Sequence, residues 1–397
     1  MKLSGVRVVD LSQFMPGPML ASNLADHGAD VIKVEPLSGD AARGPLESDS
    51  EFFVALNRGK RSIALDLKHP DGLAIARKLI DAADIVIESS RPGVAARLGI
   101  DYDTVSRTHA RLVYCSLTAF GQTGPLSQVP AHDPVIQAMA GTLPRDERGA
   151  PVTSGASLAA LAGSLTALSA VLMALLHARE TGEGDFLDIS LYDAALTVQP
   201  HLTSHALNPV AGDIVATAHG GNAIALLAAY QTADSQWLCL GGRELDFATN
   251  LLTPLGRPDL IDVAVGPAGA AQAELRAFLT ATFLTRTLSE WLAWFEGRRV
   301  SVAPVLSLRE ALAHPHTQAR QMVSADAAGR QHVGSAIRFQ REPAQPILSI
   351  PAIGEHTAEI LDTLGYAAEH IAALDAAGVI RTQNAPRRHS VMPSPAS

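Results

Sequence analysis

The chain is poor in several features that mark particular classes of protein. Its 397 residues include two cysteines, 5% aromatic residues and more acidic than basic side chains, giving a formal net charge of −9. Cys115 and Cys239 lie in apolar, strand-like runs without Cys-x-x-Cys spacing, which predicts buried free thiols in a reducing compartment. The acidic balance argues against nucleic acid as a partner.

Familiar nucleotide-binding and catalytic motifs are also absent. The sequence has no G-x-x-x-x-G-K-[ST], no G-x-G-x-x-G after its first strand pattern, no H-E-x-x-H and no G-x-S-x-G. These absences argue against the usual NTPases, dinucleotide oxidoreductases, zinc peptidases and α/β hydrolases. No single short motif therefore identifies the chemistry.

Signals for secretion or membrane insertion are weak. The N-terminal residues contain no long apolar stretch, which predicts a cytoplasmic protein. One run, Leu158–Leu176, is uncharged over 19 residues and could span a membrane by length. It contains Gly, Thr and two Ser and is isolated in the chain. We therefore interpret it as a helix buried on all sides of a soluble protein and predict no membrane contact.

The first 120 residues alternate between strand and helix patterns. Apolar strand patterns at 6–14, 30–36, 84–89 and 110–120 are interrupted by helix patterns at 17–29 and 70–83. This alternation favours right-handed βαβ units, and hence a parallel sheet with helices outside. The sequence predicts an α/β fold.

The pattern changes after residue 200, and the length of the chain suggests about two domains. Residues 201–222 are rich in His, Pro, Gly and Asn and lack periodicity, which is typical of a linker. A hairpin pattern and several helices follow, one of them opening with the capping-box spacing of Thr287 and Glu290. We predict a large domain at 1–200, a crossing linker at 201–222, a small domain at 223–318, a return to the large domain at 319–382 and a disordered tail at 383–397.

Six strings occur in one order over residues 4–370: MPGPMLASNLADHGADVIKVEP, NRGKRSIALDLKHPDG, SRPGVAARLGIDYD, RLVYCSLTAFGQTGP, ARETGEGDFLDISLYDA and IGEHTAEILDTLGY. Together they resemble the family III CoA-transferases, the group of formyl-CoA transferase, carnitine CoA-transferase and α-methylacyl-CoA racemase. The resemblance implies a Rossmann-like large domain with a smaller α+β domain, and a homodimer of interlocked rings. It also implies coenzyme A and acyl-CoA as substrates, with no tightly bound cofactor and no metal.

The resemblance further implies where CoA binds. Basic side chains such as Arg91 and Arg97 suit the CoA phosphates, because guanidinium groups bind phosphate oxygens in pairs. We interpret Lys60 and Arg61, in contrast, as solvated surface cations. The positions that match the family's CoA contacts are Met15, Pro16, Leu65, Asp66, Leu67, Lys68, Ser89, Ser90, Arg91, Arg97, Pro130, Ala131 and His132.

The pair His132-Asp133 has two interpretations. Asp133 stands just before Pro134 and a helix pattern, which is typical of a helix N-cap. The resemblance instead places the pair at the mouth of the thioester site, with His132 as a catalytic candidate. Asp133 could then be both the cap and the partner that orients the imidazole ring.

The chain departs from the family at the acid that does the chemistry. In the family an Asp opens an Asp-x-x-x-Gly string, and the matching string here begins with Ala159, with no acid between Glu147 and Glu180. That Asp attacks the thioester in the transferases and is one of two bases in the racemase. Alanine can do neither. The candidate replacements are Asp133 and Glu244, and Glu244 matches a glutamate of the racemase branch.

Three functions remain open from the sequence. The leading prediction is a CoA-transferase that moves CoA between a CoA thioester and a carboxylic acid. The second is a 2-methylacyl-CoA racemase or epimerase that uses His132, Asp133 and Glu244. The third is a catalytically silent CoA-binding subunit, which would form a heteromer with a homologue that keeps the Asp.

Overall fold

The computed structural model describes residues 1–44, 49–146, 148–153, 155–208 and 224–382. The chain divides into two compact units, the first made of residues 1–141, 156–198 and the chain from 319 onward, the second of 142–155 and 199–318. The predicted small domain lies within the second unit, which also includes 142–155 from the predicted large domain. The predicted tail at 383–397 lies outside the described residues.

The helices and strands alternate through most of the first 200 residues. The strands are β1 (Arg7–Asp10), β2 (Asp30–Glu35), β3 (Arg61–Leu65), β4 (Ile85–Glu88), β5 (Val113–Thr118), β6 (Phe186–Ser190), β7 (Ala229–Gln231), β8 (Trp237–Leu240), β9 (Val302–Pro304), β10 (Val323–Ala325), β11 (Gln331–Val333) and β12 (Ile380–Arg381). The helices are α1 (Pro16–Asp26), α2 (Glu51–Asn57), α3 (Pro70–Asp81), α4 (Val94–Leu98), α5 (Tyr102–Val105), α6 (Asp133–Met139), α7 (Leu158–Thr181), α8 (Leu191–Thr197), α9 (Pro200–Leu207), α10 (Leu245–Leu252), α11 (Ile261–Val265), α12 (Ala273–Phe283), α13 (Leu288–Phe295), α14 (Leu308–Ala313), α15 (Pro315–Ala319), α16 (Thr357–Thr363) and α17 (Ala368–Ala376).

A seven-stranded sheet forms the centre of the first unit, in the order β12-β3-β2-β1-β4-β5-β6. All neighbouring strands are parallel except β12, which is antiparallel to β3. Apart from β12, this is the strand order of dinucleotide-binding α/β folds, and its direction reverses between β1 and β4. The predicted α/β class is confirmed. The strand pattern of β3 was missed, although four of its five residues are buried.

Each face of this sheet has its own core, because successive strand residues point to opposite faces. One face packs against α1 and α7, with Val8, Ile85 and Ile87 buried there. The other face packs against α3, α16 and α17, and it buries Val9 and Val86. The predicted helices at 17–29 and 70–83 correspond to α1 and α3, so the periodicity located both layers correctly.

Helix α7 is not buried on all sides, and that prediction is wrong for the single chain. Its inner side, including Val171, is buried against the sheet. Its outer side is apolar yet exposed: Leu165, Leu172, Met173 and Leu176 expose 52%, 40%, 65% and 62% of their surface. Within the described residues α7 alone has the length and composition of a membrane-crossing helix, and half of its most apolar stretch is buried. Core helices of soluble proteins often share those properties.

Three further expectations change in the structure. Residues 200–207, at the start of the predicted linker, form α9, while 209–223 lie outside the described residues. The helix pattern at 308–322 is divided into α14 and α15 at Pro315, because proline cannot donate the backbone hydrogen bond that a continuous helix requires. Cys115 is buried as predicted, but Cys239 is exposed on β8.

The second unit contains a three-stranded antiparallel sheet, β7-β8-β9, packed with helices. Its aromatic centre includes Trp291 and Phe295, which expose 1% and 5% of their surface. The capping box of Thr287 and Glu290 is present at the start of α13. These aromatic side chains form part of the core of the second unit.

A buried ion pair holds the loop between β1 and α1. Lys60 Nζ lies 2.9 Å from Asp10 Oδ2, and neither side chain is exposed. The same ammonium donates to the carbonyl oxygen of Pro18 at 3.0 Å. Burial lowers the pKa of Lys60 to about 8, and the carboxylate of Asp10 opposes that shift. The prediction that Lys60 is a solvated cation is therefore wrong.

A second buried pair continues this support. Lys33 Nζ lies 2.7 Å from Asp40 Oδ2 and donates to the carbonyl oxygen of Ser12 at 2.9 Å. Arg61 is also paired, with Asp30 at 2.6 Å. Lys60 and Lys33, near the carboxyl end of β1, are thus structural cations that hold the loop after β1 in place.

We expect Lys60→Met to lower the free energy of unfolding by about 3–5 kcal/mol, because it removes the positive charge paired with the buried carboxylate of Asp10, and the hydrogen bonds from Ser12 do not replace that charge. Urea denaturation at pH 7 measures the loss. Lys2→Met is the matched control: its pair with Glu342, at 3.2 Å, is about half exposed. That change should cost less than about 1 kcal/mol. Equal losses in the two variants would contradict the role given to the buried pair.

Candidate active site

A cavity of about 750 Å³ opens where the strand order reverses, at the carboxyl ends of β1, β4 and β5. Ligands of open α/β sheets bind in this crevice, because the connecting loops diverge there. Gln13, in the loop after β1, donates its backbone N–H to Ser89 Oγ after β4 at 3.1 Å, which joins the two loops. The predicted positions that line this cavity are Met15, Pro16, Ser89, Ser90, Arg91, Pro130, Ala131, His132 and Asp133.

A second cavity, of about 530 Å³, adjoins the first, since Gln13 and Ser90 line both. It lies over the ends of β2, β3 and β4, and its walls include the predicted positions Leu65, Asp66, Leu67 and Lys68. Arg97 is not among its lining residues. Its helix, α4, contributes Val94, Ala95 and Leu98 to the wall, while Arg97 itself is exposed.

Glu88 forms part of the floor of the second cavity. The side chain exposes 4% of its surface, and burial raises the pKa of its carboxyl group. The backbone N–H of Ser90 donates to its Oε2 at 2.7 Å and acts against that shift. Tyr114, another lining residue, has a buried hydroxyl that finds no hydrogen-bond partner among the described residues, and burial raises its pKa as well.

The imidazole of His132 lies in the mouth of the first cavity, directly before α6, and is exposed. Its ring meets Phe14 edge-on, with 5.9 Å between ring centroids. Phe14 has a φ of 62°, in the left-handed region that non-glycine residues rarely adopt. In the described part of the chain, no hydrogen bond joins His132 to Asp133, so the expected orienting contact is not found.

The carboxylate of Asp133 is directed to a different helix. Its Oδ1 accepts the backbone N–H of Ala160, the third residue of α7, at 2.8 Å, and its Oδ2 accepts a hydrogen bond from the side-chain amide of Gln137. Gln137 also donates to the carbonyl oxygen of Ala156 at 3.0 Å. The prediction that Asp133 is the N-cap of its own helix is wrong: His132 occupies that position, and Asp133 caps α7 instead.

This contact explains how α7 begins. The residue at its own N-cap, Ser157, makes no capping hydrogen bond with its side chain. The first backbone N–H groups of a helix lack partners within the helix and attract an anion. Asp133 supplies that anion from 27 residues away in sequence.

Ala159 precedes the residue whose N–H binds this carboxylate, and its methyl group cannot perform the chemistry of the family's Asp. Its methyl group is fully buried in a cluster with Phe120, Ile136 and Leu191. The next residue, Ala160, lines the cavity. The carboxylate of Asp133 is therefore hydrogen-bonded one residue beyond the position where the resemblance expects the family's Asp.

Glu244, the other candidate acid, belongs to the second unit. It is exposed at the N-cap position of α10, and its side chain makes no capping hydrogen bond. The described residues contain no group of three or more side chains that could hold a metal ion.

Two residues of this site were missed in the sequence. Gln137 is four residues after Asp133, a spacing that places both side chains on one side of a helix, so the pair could have been found. Phe14 carried no comparable signal, because its unusual backbone angle is not visible in the sequence.

Comparisons with known proteins agree with this geometry. The profile described as CoA-transferase family III matches residues 3–357. A human succinyl-CoA:glutarate CoA-transferase is 32% identical over 95% of this chain and 90% of its own length. A mouse α-methylacyl-CoA racemase is 30% identical over 96% of this chain and 98% of its own length.

A solved structure of a CAIB/BAIF family protein from Brucella suis is similar to the chain, with a TM-score of 0.78 and 29% identity. It covers 91% of this chain, which in turn covers 99% of it. The predicted resemblance is thereby confirmed. The leading functional prediction, an acyl-CoA enzyme of the CoA-transferase type, is confirmed with it. The chain belongs to CoA-transferase family III.

Proposed function

We propose that this protein transfers CoA from an acyl-CoA thioester to a free carboxylic acid, with the carboxylate of Asp133 as the group that takes up the acyl chain. One observation carries the proposal: the Asp133 carboxylate lies at the start of α7, in the wall of a cavity formed by the predicted CoA positions. It supplies a carboxylate close to the position where the family's Asp is missing.

The two adjoining cavities suit the length and the chemistry of CoA. We place the nucleotide end of CoA in the second cavity, where Lys68 and the loop after β3 are available to its phosphates. The diphosphate would lie at Ser90 and Arg91, where the two cavities adjoin, and the pantetheine arm would continue from there through the first cavity and bring the thioester to Asp133. The site then requires no metal or resident cofactor, because CoA is a substrate.

The proposed chemistry balances in atoms and charge. An oxygen of Asp133 attacks the thioester carbon, the C–S bond breaks and CoA leaves as a thiolate, so the acyl group becomes part of a mixed anhydride. The thiolate then attacks the side-chain carbonyl carbon of Asp133, which releases the first acid and leaves CoA on Asp133. The acceptor carboxylate repeats these steps in reverse and departs as its CoA thioester, which restores Asp133.

The neighbours of Asp133 suit these steps. The backbone N–H of Ala160 is held at the positive end of α7 and can stabilise the negative charge that forms on the carboxyl oxygen of Asp133 when the CoA thiolate adds to the carboxyl carbon. The amide of Gln137 holds the second oxygen and is itself fixed by Ala156. Held from both oxygens, the carboxylate keeps one orientation relative to the cavity.

A racemase or epimerase is the second candidate, because His132 exposes an imidazole in the same cavity as Asp133. One base alone serves one face of an α-carbon, so such an enzyme would also need Glu244 or another acid opposite. A silent subunit, paired with a homologue that keeps the Asp, remains the third. Its support is the buried methyl group of Ala159.

We further propose that the chain works as a cytoplasmic homodimer, of the interlocked form that the resemblance implies. The exposed apolar side of α7 supports a partner, since contiguous apolar surface of this kind marks interaction sites.

We expect CoA to bind saturably in isothermal titration calorimetry. Arg91→Ala should weaken binding by about 1–3 kcal/mol, because it removes a charged hydrogen-bond donor to phosphate. Arg309→Ala, which removes an exposed arginine of α14 in the second unit, is the control and should leave binding unchanged. No heat and no thermal shift at millimolar CoA would overturn the assignment of the two cavities.

Covalent trapping tests the role of Asp133. Incubation with an acyl-CoA followed by hydroxylamine or borohydride should change the mass of the peptide that contains Asp133, and Asp133→Asn should abolish both labelling and CoA transfer. Asp193→Asn, which alters an exposed acid of α8, should do neither. The side-chain carbonyl of asparagine can still accept the N–H of Ala160, so Asp133→Asn should cost less stability than the about 0.5–2 kcal/mol expected for Asp133→Ala, which thermal unfolding measures separately.

The other outcomes of that experiment are informative. Deuterium entering the α-carbon from D₂O without labelling would favour the racemase. Neither labelling nor exchange would favour the silent subunit. Rapid CoA transfer by Asp133→Asn would refute the proposed mechanism.

The assembly is tested by light scattering during size-exclusion chromatography. We expect twice the chain mass of 41.6 kDa. Leu172→Asp combined with Leu176→Asp should yield monomer or insoluble protein, because each change places a charge in an apolar contact. Leu308→Asp, at a residue of the second unit that is 77% exposed, should leave the dimer intact. A wild-type monomer would contradict the proposal.

A further inference from the structure

The walls of the first cavity near Asp133 are apolar. Leu117, Ile136 and Leu191 contribute buried or nearly buried side chains there, and Phe14, Val129 and Val135 surround the opening. The three side chains at the opening expose 45%, 42% and 49% of their surface. An exposed apolar rim around a cavity is typical of a site whose ligand covers it.

Positive charge is scarce in the same walls. Of the described residues that line this cavity, Arg91 is the one Lys or Arg, and it belongs to the loop that our proposed function assigns to CoA. Apart from the imidazole of His132, the described lining residues offer no other cationic side chain to a carboxylate at the far end of an acyl chain. Such a carboxylate would also lie in the cavity that already holds the negative charge of Asp133. A charge moved from water into an apolar site without a partner is strongly disfavoured.

We propose that the acyl groups handled by this protein have apolar bodies, either branched aliphatic or aromatic, and carry no second carboxylate. This inference rests on the proposed function, because it assumes that the thioester reaches Asp133. It separates the chain from the dicarboxylate specificity in the name of the human relative reported above. Two features would select between acyl groups. An apolar acyl group can cover the apolar side chains of the cavity, whereas the second carboxylate of a dicarboxylic acyl group lacks a lysine or arginine to pair with.

A competition assay tests the substrate class. Isovaleryl-CoA and phenylacetyl-CoA are compared with succinyl-CoA and glutaryl-CoA, as competitors for binding and as donors in CoA transfer. We expect the two apolar thioesters to bind at least about 10-fold more tightly than the two dicarboxylic ones, and to have the higher kcat/KM. Acetyl-CoA, which has almost no acyl body, should lie between the two groups.

A charge placed at the opening should reverse the selection. Val135 is half exposed in the first turn of α6, so Val135→Arg can be accommodated there. This variant should bring succinyl-CoA to within about twofold of isovaleryl-CoA, because it supplies the missing partner for the second carboxylate. Val305→Arg, at a valine of the second unit that is 50% exposed, is the matched control and should leave the ratio unchanged.

The possible results separate this inference from the proposed function. Preferred binding and transfer of succinyl-CoA or glutaryl-CoA by the wild type would overturn the inference while leaving CoA transfer intact. Absence of transfer with every donor would count against the proposed function, and the binding ratios would still decide the inference. Failure of all four thioesters to bind would overturn both.

Discussion

The site depends on the reversal of strand order between β1 and β4. The loops that follow these strands must diverge, because the connecting helices lie on opposite faces of the sheet, and the space between them becomes the cavity. A diverging loop has few neighbours to hold it. The loop after β1 is secured by buried charge, with Lys60 bonded to Pro18 and Lys33 bonded to Ser12. Gly17 is required at the same point, since a Cβ there would lie 2.2 Å from Ser12 Oγ.

The carboxylate of Asp133 has a structural role at the start of α7, and the chemical role that we propose for it partly opposes that structural role. As a cap for α7 it is held by two hydrogen bonds, which stabilise its negative charge and reduce its tendency to attack a thioester. As the acyl-accepting group it must attack. The two demands are compatible if the bonds also favour the charged oxygen formed later, when CoA thiolate adds to the carboxyl carbon.

The sequence predicted the fold well where the signal was local. The periodicity of residues 17–29 and 70–83 located α1 and α3, and the apolar runs located four strands of the large sheet. β3 was missed because Arg61–Leu65 is short and follows charged residues. The exposed side of α7 was missed for another reason. The composition shows that this helix is apolar on all sides, but only the fold shows that the chain buries its inner side against the sheet and leaves its outer side exposed.

Most of the predicted site positions line the two cavities, but the sequence did not predict how their side chains connect. The resemblance selected Met15, Ser90 and Lys68, which do line the two cavities. The contact between Asp133 and Ala160 spans 27 residues, across the connection from α6 to α7, and no periodicity in the sequence reports it. Arg97 illustrates the converse, since its helix borders the second cavity while its own side chain is exposed.

For the proposed attack on a thioester, the place of the carboxylate oxygens in the cavity matters more than which residue of the chain carries them. Reaction with a thioester requires an oxygen at one point in the cavity, and a side chain from either α6 or α7 can reach the start of α7. An acid at residue 159 would have to be accommodated where the Ala159 methyl group packs against Ile136 and Leu191, at the cost of desolvating a charge. An acid at 133 avoids that cost, because its oxygens are satisfied by Ala160 and Gln137 while the apolar cluster stays intact. In the proposed function, the carboxylate of Asp133 thus compensates for the acid that is missing at Ala159.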